Sequence, residues 1–373
     1  MGPLHGLRIV EFPAIGPVPM CAMLLADLGA TILRLDRKES AGLGIDMPER
    51  FQFTHRGRMS LPVDLKDPTD VALVLRLVGK ADALIEGFRP GVMERLGLGP
   101  DICLARNPGL VYGRMTGWGQ TGPLASVAGH DINYIALAGA LDAIGRKDGP
   151  PVPPLNLVGD YAGGSLYMAL GLLSALFERQ RSGGGQVVDA AIVDGTASLL
   201  AMNLGMQAAG LASGGRGENV LDSGAPYYDV YRCADGRWIA VGAIEEKFFA
   251  QLCGRLGLDP ASLPDRADRA NWPALKDIFA ARFAERDAAA WAALFAGTDC
   301  CVTLVHRADE AQTDPHLLAR ETFVSIDGVT QPAPAPRFSR SVPGTPRAAG
   351  TPNTAAEALA GWLGADEIAA LGQ

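Results

Sequence analysis

Leu7-Arg8-Ile9-Val10-Glu11-Phe12, then Met20 to Leu28, then Ala30-Thr31-Ile32-Leu33-Arg34-Leu35-Asp36: the opening of this chain reads as strand, helix, strand. Two apolar, β-branched runs flank a helical stretch, and a Pro/Gly turn, Pro13 to Pro19, precedes the helix. Parallel strands need such a crossover, so one β-α-β unit already commits the sheet to parallel pairing. The pattern continues outward. Ser60–Leu65, Ala83–Glu86, Leu110–Met115 and Val187–Ala191 read as further strands, with helices over Asp67–Val78, a short one ending at Leu96, and one over Ser165–Arg179. This alternation implies an α/β domain with a doubly wound parallel sheet, whose ligands sit beyond the carboxyl ends of the strands. Asp36 at the end of the second strand invites a nicotinamide dinucleotide, but the preceding turn refuses it. Ala14-Ile15-Gly16-Pro17-Val18-Pro19 offers one glycine and two prolines without N–H donors, where the fingerprint needs Gly-x-Gly-x-x-Gly.

An apolar helix over Val193–Ala209 leads into a polar, glycine-rich stretch, Gly210–Gly224. Tyr227–Arg232 and Arg237–Val241 then form a hairpin about a two-residue Asp235-Gly236 turn. The expected organisation is a large domain over 1–209, a linker over 210–224 and a small α+β domain over 225–330. A return linker over 331–352 follows, and a C-terminal helix over 353–373 docks back on the large domain. A net charge of -8 argues against nucleic-acid or anionic-membrane partners. The six cysteines are scattered without metal-ligand spacing and read as reduced thiols. No signal peptide, bilayer-length apolar run or C-terminal lipidation motif is apparent, so a cytoplasmic protein is expected.

Chemistry concentrates between Gly129 and Gly164. Gly129-His130-Asp131-Ile132-Asn133-Tyr134 and Asn156-Leu157-Val158-Gly159-Asp160 each place a titratable group beside glycine, just before a helical pattern. Plain helix capping explains an aspartate in such a place. A histidine and a carboxyl group aimed into one cleft would instead form an acid–base pair able to move a proton on and off one carbon.

These segments resemble the signature of the alpha-methylacyl-CoA racemases, within the family III CoA-transferase superfamily. The similarity runs from Leu4 to about Leu363. It includes Glu86-Gly87-Phe88-Arg89-Pro90-Gly91, Arg114-Met115-Thr116-Gly117-Trp118-Gly119-Gln120, Val187-Val188-Asp189-Ala190-Ala191 and Pro334 to Arg340. The resemblance implies a Rossmann-like large domain and a smaller α+β domain, joined by two long linkers in an interlocked homodimer. It implies His130 and Asp160 as the acid–base pair acting on a 2-methylacyl-CoA, with Glu245 supporting the histidine, within one chain or across the dimer. It also implies CoA contacts at Arg37, Val63, Asp64, Leu65, Lys66, Gly87, Phe88, Arg89 and Arg95, and substrate contacts at Gly129, Asp131, Ile132, Asn133 and Tyr134. The Asp131 N–H is the candidate donor to the thioester oxygen. CoA would enter as part of the substrate, without a separate cofactor or metal. Seven of the cations before residue 100 (Arg37, Lys38, Arg56, Arg58, Lys66, Arg89 and Arg95) are available for its phosphates. Met202 and Met206 are either core or a surface for the acyl chain. The alternative within the same superfamily is a CoA transferase with Asp160 as nucleophile.

Overall fold

The computed structural model describes residues 1–39, 42, 44–212 and 214–371. Ser213 of the expected first linker and the terminal Gly372 and Gln373 lie outside the described residues, as do Ser40, Ala41 and Leu43. The chain divides into two compact units. The first comprises 1–138, 155–199 and 318–373; the second comprises 139–154 and 200–317.

The first unit is built on six parallel strands: β1 (Arg8–Glu11), β2 (Thr31–Arg37), β3 (Met59–Val63), β4 (Ala83–Glu86), β5 (Val111–Thr116) and β6 (Gln186–Ala191). Their order is β3-β2-β1-β4-β5-β6, so the winding reverses between β1 and β4. Alternation along each strand sends Ile9, Ile32, Ile85 and Val111 to one face and Val10, Leu33, Leu84 and Tyr112 to the other, all buried. The first face is covered by helix α1 (Pro17–Asp27) and later by Met168 and Leu172. The second is covered by α2 (Pro68–Val78) and by Ala358, Leu359, Trp362 and Leu363 of the C-terminal segment. Helix starts follow local chemistry: Pro17 and Pro68 occupy the first turn, where the missing N–H costs nothing, and Asp67 accepts the Thr69 N–H at 2.8 Å. Two short helices follow β4, α3 (Val92–Arg95) and α4 (Pro100–Arg106). After β5 comes α5 (Asp131–Leu137).

Next in the chain, α6 (Ala140–Ala143) counts with the second unit. Chain 157–166 then forms a wide helix of i→i+5 type, which continues as α7 (Tyr167–Ser182) and stops at Gly183 with φ 75°. The single apolar helix expected over 193–209 is two, α8 (Ile192–Leu199) and α9 (Ala201–Ala208), and the unit boundary falls at the break between them.

The second unit holds an antiparallel sheet of β7 (Tyr228–Arg232), β8 (Trp238–Gly242) and β9 (Val302–Leu304). Against it lie α10 (Glu246–Arg255), α11 (Trp272–Phe283) and α12 (Ala288–Phe295), around an aromatic core of Tyr231, Phe249, Trp272, Phe279, Phe283 and Trp291. The hairpin turn differs from the two-residue expectation. Gly236 N–H bonds to Cys233 O at 3.0 Å and Cys233 N–H to Arg237 O at 2.8 Å, closing a three-residue loop with Gly236 at φ 80°. Asp235 is thereby free to accept the Ala288 N–H at 3.2 Å.

The expected boundaries shift accordingly. Most of the first linker, 210–224, is held within the second unit by Arg216 on Asp142 and by Asp222, which gathers the N–H groups of Gly217, Asn219 and Gly224. The return linker begins inside an antiparallel hairpin, β10 (Phe323–Ile326) with β11 (Val329–Pro332), in the first unit.

Candidate active site

The carboxyl ends of β1 and β4 are brought together at the switch point by small residues. A Cβ on Gly87 would lie 3.0 Å from both Ala14 Cβ and Val18 Cγ2, so bare backbone is required for the two loops to touch. Beside them Gly16 takes φ +68°, and a Cβ there would lie 2.9 Å from Asp160 Oδ2. The Asp160 carboxyl group therefore sits against the turn that precedes α1.

Asp160 is delivered by the wide helix. Its N–H donates to Asp131 Oδ1 at 2.7 Å, and the Gly159 N–H donates to the same carboxylate. Gly159 is needed here, because a Cβ would stand 2.3 Å from Asp131 Oδ1. The two segments singled out in the sequence are thus stitched directly together. His130 precedes α5 in extended conformation, and its N–H donates to Asn133 Oδ1 at 3.0 Å. The imidazole is exposed and close enough for its charge to pull on Asp160. Burial first, and the Asp131 carboxylate second, push the Asp160 carboxyl group up to about 6, against an Asn156 hydrogen bond and the His130 charge. Burial also raises Asp131, whose Oδ2 is buried without a hydrogen-bond partner among the described residues. At the first turn of α5 the Asp131 N–H has no partner within its own helix.

Tyr134 closes the wall. Its hydroxyl donates to Gly129 O at 2.5 Å, and its ring meets Trp118 edge-on at 4.7 Å. A Cβ on Gly117 would fall 2.0 Å from that ring, which explains a glycine at this place in the loop after β5. Ile132 and Asn133 face outward on the same first turn, whereas the Asp131 side chain is buried and its Oδ1 is held by the Asp160 N–H.

The seven cations named above separate into two groups. Arg56 is 1% exposed and grips Asp27 at 2.6 and 3.1 Å, Gln331 at 2.9 Å and Pro332 O at 2.6 Å. Arg58 is buried on Glu11 at 2.9 Å, and Lys38 pairs with Asp70 at 2.7 Å. Arg56 and Arg58 hold the fold, and the expectation that they serve an anionic ligand is corrected; Lys38 is an exposed side chain already paired with a carboxylate. Arg37, Lys66, Arg89 and Arg95 are exposed and form no ion pair among the described residues. Arg37 ends β2, Val63 ends β3 with Asp64, Leu65 and Lys66 following, and Gly87-Phe88-Arg89 follows β4, all on the carboxyl edge. Phe88 packs edge-on against Phe12 at 6.4 Å.

Glu245 belongs to the second unit, exposed at the start of α10, with its carboxylate unspent on capping. Met202 is 66% exposed and α9 has no buried residue, so the core reading of Met202 is overturned. Sequence reasoning assigned no role to Gly16 or Asn156. Asn156 was legible as a polar residue one turn before Asp160, but Gly16 acquires its meaning only where the wide helix folds back on β1.

The family model for CoA-transferase family III matches residues 4–356. The chain belongs to CoA-transferase family III. Among relatives in this family, it is 46% identical over 352 residues to a mouse protein named alpha-methylacyl-CoA racemase, covering 94% of this chain and 90% of that one. The human protein of the same name is 45% identical over 336 residues, covering 89% and 86%. Succinyl-CoA–D-citramalate CoA-transferase of Chloroflexus aurantiacus is 34% identical, covering 87% and 83%. A solved CaiB/BaiF family protein from Brucella suis superposes with a TM-score of 0.80 at 26% identity, covering 94% and 96% of the chains. Among the described residues, no helix is long and apolar enough to cross a membrane, and no three His, Cys, Asp or Glu side chains group as a metal site.

Proposed function

We propose that this protein interconverts the (2R) and (2S) forms of 2-methylacyl-CoA thioesters by moving the α-proton between His130 and Asp160. The observation that carries the reading is the tuned carboxyl group of Asp160, pushed up to about 6 while lying within the electrostatic reach of the His130 imidazole. At pH 7 such a group is protonated in about a tenth of molecules, enough to donate, and ionised in the rest, able to accept. The thioester carbonyl acidifies the adjacent C–H. One residue removes that proton, the enolate oxygen is met by the Asp131 N–H at the start of α5, and the other residue returns a proton to the opposite face. Both directions use an enzyme whose pair holds one proton, placed on Asp160 for one epimer and on His130 for the other.

CoA is carried as part of the substrate, with no separate cofactor in the proton transfer. The four cations without an ion pair among the described residues, Arg37, Lys66 and Arg89 on the sheet edge and Arg95 on α3, supply its phosphate contacts, with Val63 to Leu65 and Gly87-Phe88 against its nucleotide. Gly129 and the first turn Asp131–Tyr134 line the thioester. Glu245 holds one nitrogen of His130 and so fixes the tautomer of the other. We assign it to a second copy in an interlocked, cytoplasmic homodimer; a monomer in sizing with light scattering contradicts that assembly.

The deciding measurement is incubation of a single 2-methylacyl-CoA epimer in deuterated water. Uptake of α-deuterium with loss of stereochemistry, without any acceptor acid, is expected. The transferase relatives, at 34% identity for one of them, give the rival reading a definite form. There the ionised Asp160 attacks the thioester carbonyl and CoA leaves as the thiolate, giving an aspartyl anhydride. Acyl exchange with free acids, with no α-deuterium uptake, overturns the racemase reading in favour of that one.

A further inference from the structure

Two sequence motifs, Glu86–Gly91 and Arg114–Gln120, take no direct part in proton transfer, yet the fold joins them. β4 and β5 are neighbours, and their register places Glu86 opposite Arg114. Arg114 is buried. Its Nε donates to Glu86 Oε1 at 2.9 Å, its Nη1 to Glu94 Oε1 at 2.8 Å and its Nη2 to Glu94 Oε2 at 3.3 Å. Glu86 is wholly buried, and its second oxygen accepts the Phe88 N–H at 2.7 Å. One guanidinium therefore ties three things to the end of β5: the end of β4, the first turn of the Gly87–Arg89 loop, and α3, which carries both Glu94 and Arg95. Gly99 leaves room for the clasp, since a Cβ there would lie 2.9 Å from Glu94 Cγ.

A buried arginine between two carboxylates is a poor device for stability alone, because desolvating the charges consumes most of their attraction. It is a good device for geometry. A planar fork of five donors holds two carboxylates in fixed directions, which a lysine ammonium cannot do.

We infer that Arg114 is a positioning residue for nucleotide recognition: through Glu86 and Glu94 it sets the loop and the helix that present Phe88, Arg89 and Arg95 to CoA. This rests on the proposed reading that those three residues touch CoA. The set is then pre-formed on the sheet, so that the substrate does not have to order a mobile loop when it binds.

The test compares two thioesters of one 2-methyl acid, the CoA thioester and the truncated N-acetylcysteamine thioester, by α-deuterium uptake. In Arg114→Lys, KM for the CoA thioester rises about tenfold, as expected for losing one charge-assisted hydrogen-bond direction, while kcat stays within about twofold. Turnover of the truncated thioester is unchanged. Glu94→Gln, which leaves the Arg114–Glu86 pair intact and alters a half-exposed side chain, gives a smaller rise of the same kind. Equal losses on both thioesters, or an unchanged KM for the CoA thioester in both variants, overturn the inference. A wild-type enzyme that handles both thioesters with the same KM overturns the nucleotide-contact reading beneath it, which is a distinguishable result.

Discussion

Replacing Asp131 by asparagine tests whether the contact that holds Asp160 also sets its acidity. The amide keeps an oxygen for the Asp160 N–H, now bonded to Asp131 Oδ1 at 2.7 Å, so position is preserved while charge is removed. Burial and the Asp131 charge, in that order, raise Asp160 from 3.8 to about 6. A unit charge on a neighbouring, partly buried carboxylate is worth about one to three pH units, and burial is the larger cause here, so the asparagine variant should lower Asp160 by about one unit. The sign is fixed: without the like charge, ionised Asp160 is less disfavoured and its proton leaves at lower pH. Because both directions need a pair holding one proton, the pH profile of kcat/KM is a single bell shared by the two epimers. Its two apparent values belong to the pair, and their sum should fall by about one. The assay is α-deuterium uptake from each epimer at subsaturating thioester, from about pH 4 to about pH 9. A bell that stays in place, or moves upward, refutes the electrostatic argument. Different bells for the two epimers refute the shared proton.

The other expectations concern room, charge and burial. Gly16→Ala forces a side chain onto a backbone at φ +68° and within 2.9 Å of Asp160 Oδ2. It should cost about 1–2 kcal/mol in thermal unfolding and lower kcat more than it raises KM. Arg56→Ala leaves Asp27 buried without the pair it now makes at 2.6 Å. A loss of about 3–5 kcal/mol is expected, read as a fall in Tm, with KM unchanged below the transition. Lys66→Ala and Arg89→Ala should each raise KM for the CoA thioester by about tenfold at low salt and by less at about 1 M salt, because they remove exposed cations from phosphates; stability should not change.

The parallel sheet was legible because its inner strands β1, β4 and β5 are buried on both faces and short, with helices between the strands, which is a local pattern. The early cations were not separable by sequence: Arg56 meets Asp27 across 29 residues and Gln331 across 275, and no spacing announces such partners. Arg37, Lys66, Arg89 and Arg95 look no different in the sequence from Arg56 and Arg58. The break at Leu200 was equally hidden, since α8 and α9 share one apolar composition and differ only in what covers them.

The wide helix over 157–166 shows why a motif alone underdetermines a site. Gly159, Gly163 and Gly164 mark it in the sequence only as flexibility, yet each is fixed by a close approach. A Cβ would stand 2.3 Å from Asp131 Oδ1 at Gly159, 2.6 Å from Thr196 Oγ1 at Gly163 and 3.0 Å from Pro17 Cβ at Gly164. The wide turn presses Asp160 between the Gly16 turn and α5, where it is partly buried and a second carboxylate is near. Both influences act in the same direction on the proton. Placement and acidity therefore come from one set of contacts, and a substitution that merely loosens the turn should lower the Asp160 pKa and degrade its aim together. Only an isosteric change of charge, as at Asp131, can separate the two.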